Sequence, residues 1–142
     1  MTAPPWHFWP VAILSLIWHA VAAADYLLTK LELAAYLSVF TADQVAYFTQ
    51  MPLWADIAWA IGVWPGLLAA WLLWRRHAAA TLLFAVSFAG LIVLTAGLVY
   101  LYPPGLYAVT GSVGVWLMLA ATAAAFLFYL YARALHVRDR RG

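Results

Sequence analysis

The chain has 142 residues, 68% of them hydrophobic and 8% charged, with a net charge of +2, nine tryptophans and no cysteine. A soluble domain of this size is about half apolar and about a quarter charged, so these few charges cannot clothe a water-facing surface, and the bilayer is the natural solvent. The absence of cysteine excludes disulfides, thiol catalysis and Cys-ligated metal centres, and four spans of about 20 residues leave no room in this chain for a separate catalytic domain.

Charge-free apolar runs over about 8–24, 57–74, 78–101 and 107–132 are each long enough for a membrane helix. The expected fold is an all-α, integral-membrane, antiparallel four-helix bundle forming a single domain over 1–142. In the first run His19 is in line with Ala12, Ser15, Ala22 or Ala23, and Tyr26, which places it on the bundle-facing side. An ionisable group inside a span is expensive and therefore a functional candidate, while a neutral, hydrogen-bonded packing histidine is the plainer alternative. Ala20-Val21-Ala22-Ala23-Ala24 resembles a signal cleavage site, but the segment before Phe8 has no Lys or Arg and carries Trp6, so the run reads as a retained span.

The segment 25–53 is too apolar for a disordered loop. Leu27, Leu28, Leu31, Leu33, Leu37 and Phe40 predict a continuation of the first helix or a helix on the membrane surface. Thr41 with Gln44 three residues on is a capping-box pattern, and Pro52 should stop the short helix that it opens. Together these predict a helical cap over one end of the bundle.

In the second run Ala55, Ala58, Gly62, Gly66 and Ala70 form a small-residue stripe for helix packing, and Pro65 should kink the helix and free a carbonyl near mid-span. Arg75, Arg76 and His77 separate the second and third runs, and Pro103-Pro104-Gly105 separates the third and fourth. Gly111, Gly114, Met118, Ala121 and Ala125 offer the fourth run a packing stripe. Arg133, Arg138, Arg140 and Arg141 close the chain.

Charge asymmetry predicts orientation. Six of the seven basic residues fall in the Arg75-Arg76 turn and the C-terminal tail, so both termini should be cytoplasmic and the 25–53 cap periplasmic. The basic balance is thus a topology signal, and no nucleic-acid partner is expected. Trp6, Trp9, Trp71, Trp74, Tyr129 and Tyr131 mark one interfacial belt; Trp54, Trp59, Tyr100, Tyr102 and Tyr107 mark the other, with Trp64 and Trp116 deep in their spans.

Asp25 and Asp56 flank the cap segment, and antiparallel packing of the first two spans sets them at similar depth beneath Tyr26, Tyr36 and Tyr47, with His19 below. These six residues are the candidates for a proton, cation or small polar ligand site. In the alternative, Asp25 bonds Lys30 or cap amides, and Asp56 simply sits in a first helical turn. Haem would need a second mid-span histidine and there is none, so no cofactor or metal is expected. No nucleotide loop, zinc-protease helix, hydrolase elbow or Ser-His-Asp spacing occurs, and nothing points to an enzyme.

The strings Trp18-His19, Asp25-Tyr26, Thr41-Ala42-Asp43-Gln44-Val45-Ala46-Tyr47-Phe48 and Met51-Pro52-Leu53-Trp54 resemble an uncharacterised family of small bacterial four-helix membrane proteins, often labelled "sugar transporter" automatically. Trp59 to Trp64, the Arg75-Arg76 turn and Phe84 to Gly90 continue the resemblance, whereas Pro65 stands where the family commonly has Gly. The resemblance implies a bacterial inner membrane and a four-helix fold, and supplies no catalytic residue. The leading expectation is a non-enzymatic inner-membrane protein with the lipid bilayer as solvent, either an accessory subunit of a larger membrane complex or a small-molecule binder beneath the cap. A small transporter, which would have to be a homo-oligomer, and a quinone-linked redox subunit like the DoxX-type proteins are the alternatives.

Overall fold

The computed structural model describes residues 3–141. Its helices are α1 (Phe8–Lys30), α2 (Ala34–Leu37), α3 (Ala42–Thr49), α4 (Leu53–Trp74), α5 (Ala79–Tyr100) and α6 (Leu106–Arg141). Four of them, α1, α4, α5 and α6, are long and apolar enough to cross a membrane. The chain is therefore a multi-pass, all-α helical bundle, with α2 and α3 forming the cap at one end and the arginine-rich turn and tail at the other.

Short connections make α4, α5 and α6 run antiparallel in turn, the cap joins α1 to α4, and the row α1–α4–α5–α6 packs neighbour on neighbour. The tightest seam is α4 against α5. Gly62 and Gly90 meet there so closely that a Cβ on Gly90 would lie 2.7 Å from the Gly62 backbone nitrogen. The predicted stripe of α4 is the reason: Ala55, Ala58, Gly62, Gly66 and Ala70 are all buried. Pro65 lies inside the uninterrupted helix. The proline has no N–H for the Ile61 carbonyl, and one residue further on the Ser87 hydroxyl of α5 donates to the Gly62 carbonyl. A neighbouring helix thus feeds a donor into the weakened stretch.

The ends of α1 and α4 share a device that the sequence pattern did not announce. Glu32 and Arg76 both take positive φ, 49° and 55°, in the position after the helix end where glycine is usual. At each, paired backbone bonds close the turn, Glu32 N to Thr29 O with Leu33 N to Leu28 O, and Arg76 N to Leu73 O with His77 N to Leu72 O. Arg76 is further held by two hydrogen bonds of 3.0 and 3.2 Å to Asp139 of α6. Beyond its kink at Gly111, α6 runs on over 112–141, about 45 Å at 1.5 Å per residue; it overshoots a bilayer core and carries the arginine tail with it.

Several boundaries differ from expectation. The first helix runs past the apolar stretch that ends at Ala24 as far as Lys30, the continuation that the leucine spacing offered, so the cap proper begins only at Ala34. Pro52 does not stop α3, which ends at Thr49; it is the N-cap of α4, its carbonyl accepting from Ala55 and Asp56. Trp59, expected at the interfacial belt, also packs in the core, 9% exposed and edge-on to Tyr26 at 5.0 Å. Gly111 and Gly114 do not extend a packing stripe, and Gly111 is instead a bend in α6, with φ 66° and ψ −164°.

Candidate functional site

The two ends of the bundle close differently, and the difference creates the site. Toward the arginine end α1 and α6 meet through large rings: His19 lies 5.5 Å from Phe128, Phe84 stacks on Phe128 at 5.9 Å, and the His7 Nδ1 and Tyr131 hydroxyl hydrogen-bond at 2.9 Å. Toward the cap end the α6 backbone turns aside at Gly111. That φ/ψ pair is open essentially to glycine alone, and a Cβ there would touch nothing within 4 Å, so backbone conformation is what requires it. One turn on, Thr110 folds into the space a Gly114 side chain would need, its hydroxyl donating to Leu106 O at 2.8 Å.

A cavity of about 490 Å³ occupies the resulting gap, lined by α1, α4, α5 and α6, roofed by α2 and α3, and open along α6, where Val113 and Leu117 remain more than 60% exposed. That volume is in the range of small-molecule sites. Asp25, Thr29, Tyr36, Gln44 and Thr110 supply its polar lining. Phe40, Phe48, Trp59, Leu94, Leu98, Val113, Leu117 and Met118 are among its apolar walls.

Bonds to every neighbour hold the roof in place. The Thr41–Gln44 capping box closes both ways, Gln44 N to Thr41 Oγ1 at 3.3 Å and Thr41 N to Gln44 Oε1 at 3.1 Å. The same Gln44 amide reaches across to Val109 O in α6 at 3.4 Å. Tyr47 is buried, donates to Leu98 O of α5 at 3.2 Å and packs on Tyr102 at 4.6 Å. Tyr36 donates to Asp25 Oδ1 of α1. Lys30 binds Asp56 and donates to Phe48 O at 3.4 Å. Burial pushes both cap phenols, Tyr36 and Tyr47, up to about 12; the Asp25 carboxylate adds to the effect on Tyr36 and Tyr102 to that on Tyr47. Both stay neutral donors at ordinary pH.

The six candidates separate into distinct environments. Asp25 and Tyr36 come together on the cavity wall. Asp56 does not join them, because it sits in the first turn of α4 with Lys30 as its partner. Lys30 thus bonds Asp56 and not Asp25. Tyr47 works as a roof tie, and Tyr26 packs edge-on between Trp59 at 5.0 Å and Trp64 at 5.8 Å. His19 is 3% exposed and faces the bundle interior as expected, but six residues of helix, about 9 Å of rise, separate it from Asp25. Its Nδ1 donates to Ser15 O at 2.8 Å, which leaves Nε2 as the acceptor nitrogen. A Cβ on Gly66 would lie 2.5 Å from the ring and 2.7 Å from Ser87 Oγ. This is a closed polar knot, and it leaves the Ser15 hydroxyl as the buried side-chain polar atom without a partner among the described residues.

Gln44, Thr110, Val113 and Met118 belong to the wall, although sequence reasoning assigned them to a cap box, to no role, or to a packing stripe. The signal available was Thr110-Gly111 followed by Gly114, a polar residue and two glycines where an uninterrupted lipid-facing helix needs neither. Among the described residues there is no cluster of three or more His, Asp or Glu side chains able to hold a metal ion.

Fold and cavity define a capped, multi-pass helical membrane protein with a chamber in the half of its bundle nearest the cap. No protein-family model, curated protein or solved structure matches the chain.

Proposed function

We propose that this is a non-enzymatic, bacterial inner-membrane protein that binds a small molecule beneath its cap. The observation that carries the reading is the cavity of about 490 Å³, roofed by a cap whose hydrogen bonds reach α1, α5 and α6. An empty space of that size costs dispersion contacts along its wall, and a ligand restores them. The resemblance to small bacterial four-helix membrane proteins agrees with the compartment.

Copurification tests the binding. Small molecules extracted from protein purified in mild detergent should include a species that is missing from Met118→Trp, in which an indole fills the chamber. Identical extracts from the two proteins, with the variant folded, would refute the reading. The orientation that goes with it puts the Arg75-Arg76 turn and both termini in the cytoplasm, on the strength of the basic residues there. Reporter fusions after His77 and at the C-terminus should both read cytoplasmic, and a periplasmic signal at either would reverse the topology.

An accessory-subunit role has one observation in its favour, the bare apolar face of α6, where Val113, Trp116 and Leu117 are each more than 60% exposed. A stoichiometric larger partner in the same mild-detergent preparation would support it.

A further inference from the structure

We propose that the chamber selects a cationic amphiphile, an alkylammonium or a similar greasy organic cation, with Asp25 as counter-ion to its head. This rests on the reading that the chamber is a ligand site, and adds the ligand's charge and shape.

Charge comes first. Asp25 is the sole formally charged residue on the chamber wall. Its Oδ1 accepts from Tyr36, and among the described residues its Oδ2 accepts no hydrogen bond. Asp25 is exposed at the chamber's edge, so its second oxygen is open to the head of a ligand whose tail lies inside. Lys30, five residues on, does not neutralise it, because its ammonium is bound to Asp56 and the Phe48 carbonyl. The surrounding field has the same sign: Asp25, Glu32, Asp43 and Asp56 against Lys30 leave the cap end at −3. An anionic ligand would meet a wall that carries no Lys or Arg, since the nearby Lys30 ammonium, 5.5 Å from the Trp59 ring centre, is already engaged by Asp56 and the Phe48 carbonyl.

A neutral polyol fares little better, since the wall's polar groups are largely committed. Tyr36 donates to Asp25, Gln44 to the Val109 carbonyl and Thr110 to the Leu106 carbonyl. Aromatic rings suit a cation instead. Tyr36, Phe40 and Phe48 line the chamber, and ring faces attract ammonium groups; Trp59 beside them already carries the Lys30 ammonium 5.5 Å from its ring centre. The remaining wall, with Leu94, Val113, Leu117 and Met118, is apolar and accepts a hydrocarbon tail.

The probes are decyltrimethylammonium and its uncharged counterpart 1-decanol, titrated calorimetrically into the protein in phosphatidylcholine nanodiscs, with protein-free nanodiscs as the blank for partitioning. Wild type should bind the cation saturably and about tenfold or more tightly than the alcohol. Asp25→Asn should bring the two within about twofold, Asp25→Glu should keep the preference, and Met118→Trp should weaken both. Equal affinities in wild type, both lost in Met118→Trp, would overturn the charge selection while leaving the chamber a ligand site. Saturable binding of neither probe, or binding that Met118→Trp leaves unchanged, would overturn both readings. Thermal unfolding of each variant, compared with wild type, separates lost binding from lost fold.

Discussion

The half of the bundle toward the arginine end and the half beneath the cap are built from similar apolar residues and reach opposite results. In the first, small residues bring backbones together in the bundle's middle, where Gly66 faces the His19 ring and the Ser87 hydroxyl, and a separate space of about 380 Å³ opens only nearer the arginine turn, between Phe8, Leu73, Arg76 and Leu135. In the second, a single glycine conformation at Gly111 swings α6 aside, and bulky roof residues span the gap. Glycine thus closes one half and opens the other. Space in the first case and backbone conformation in the second decide which, since a Cβ at Gly90 would strike backbone whereas one at Gly111 would meet nothing.

The largest effect should come from breaking the closed seam. Gly90→Ala puts a methyl 2.7 Å from the Gly62 nitrogen, and because backbone cannot swing away like a side chain, we expect a loss of about 3 kcal/mol. Thermal unfolding in detergent reads it, and a variant as stable as wild type would mean that the α4–α5 approach is not tight. Next comes Gly111→Ala. Alanine at φ 66° and ψ −164° is strained by about 1 to 3 kcal/mol, and α6 relieves the strain by straightening across the chamber. The expected signature combines a modest stability loss with weaker ligand binding, whereas Gly90→Ala should affect mainly stability.

Smaller still is the cap itself. Thr41→Ala removes one half of the capping box and should cost about 1 kcal/mol, read as faster amide exchange in 42–49 with the spans unaffected. The smallest effect is alkaline. Tyr36 and Tyr47 hold their protons to about 12, against about 10 in an unfolded chain. The folded state binds these protons more tightly, so their stabilisation is complete below pH 10 and is lost as the pH rises from 10 to about 12. Ultraviolet phenolate absorbance should show a late-titrating pair, and Tyr36→Phe should remove one member of it.

Periodic features were legible in the sequence because membrane burial has a period. The stripes Ala12-Ser15-His19-Ala23 in α1 and Ala55 to Ala70 in α4 are buried as the small-residue pattern predicts. The capping box was legible because it is local, two side chains three residues apart. Pairings across the fold were not. Two carboxylates and one lysine at the same end allow several pairings, and the direction in which α1 continues past Ala24 decides that Lys30 reaches Asp56 while Tyr36 reaches Asp25. The chamber was half visible for the same reason. Asp25 and Tyr36 announce themselves by chemistry, whereas the α6 wall depends on a bend at Gly111 that small-residue spacing alone reads as a packing glycine.

Because the chain has no cysteine, the contrast between its two halves can be measured with single introduced thiols. Thr110→Cys places one on the chamber wall, and Ser15→Cys places one in the closed half at a position with no exposure. Treated in membranes with the small permeant cation methanethiosulfonate-ethylammonium, Thr110→Cys should react, and more slowly in the presence of decyltrimethylammonium, while Ser15→Cys should stay unmodified in the folded protein. Equal reactivity at the two positions, or an inert Thr110→Cys, would contradict an open chamber set above a closed bundle.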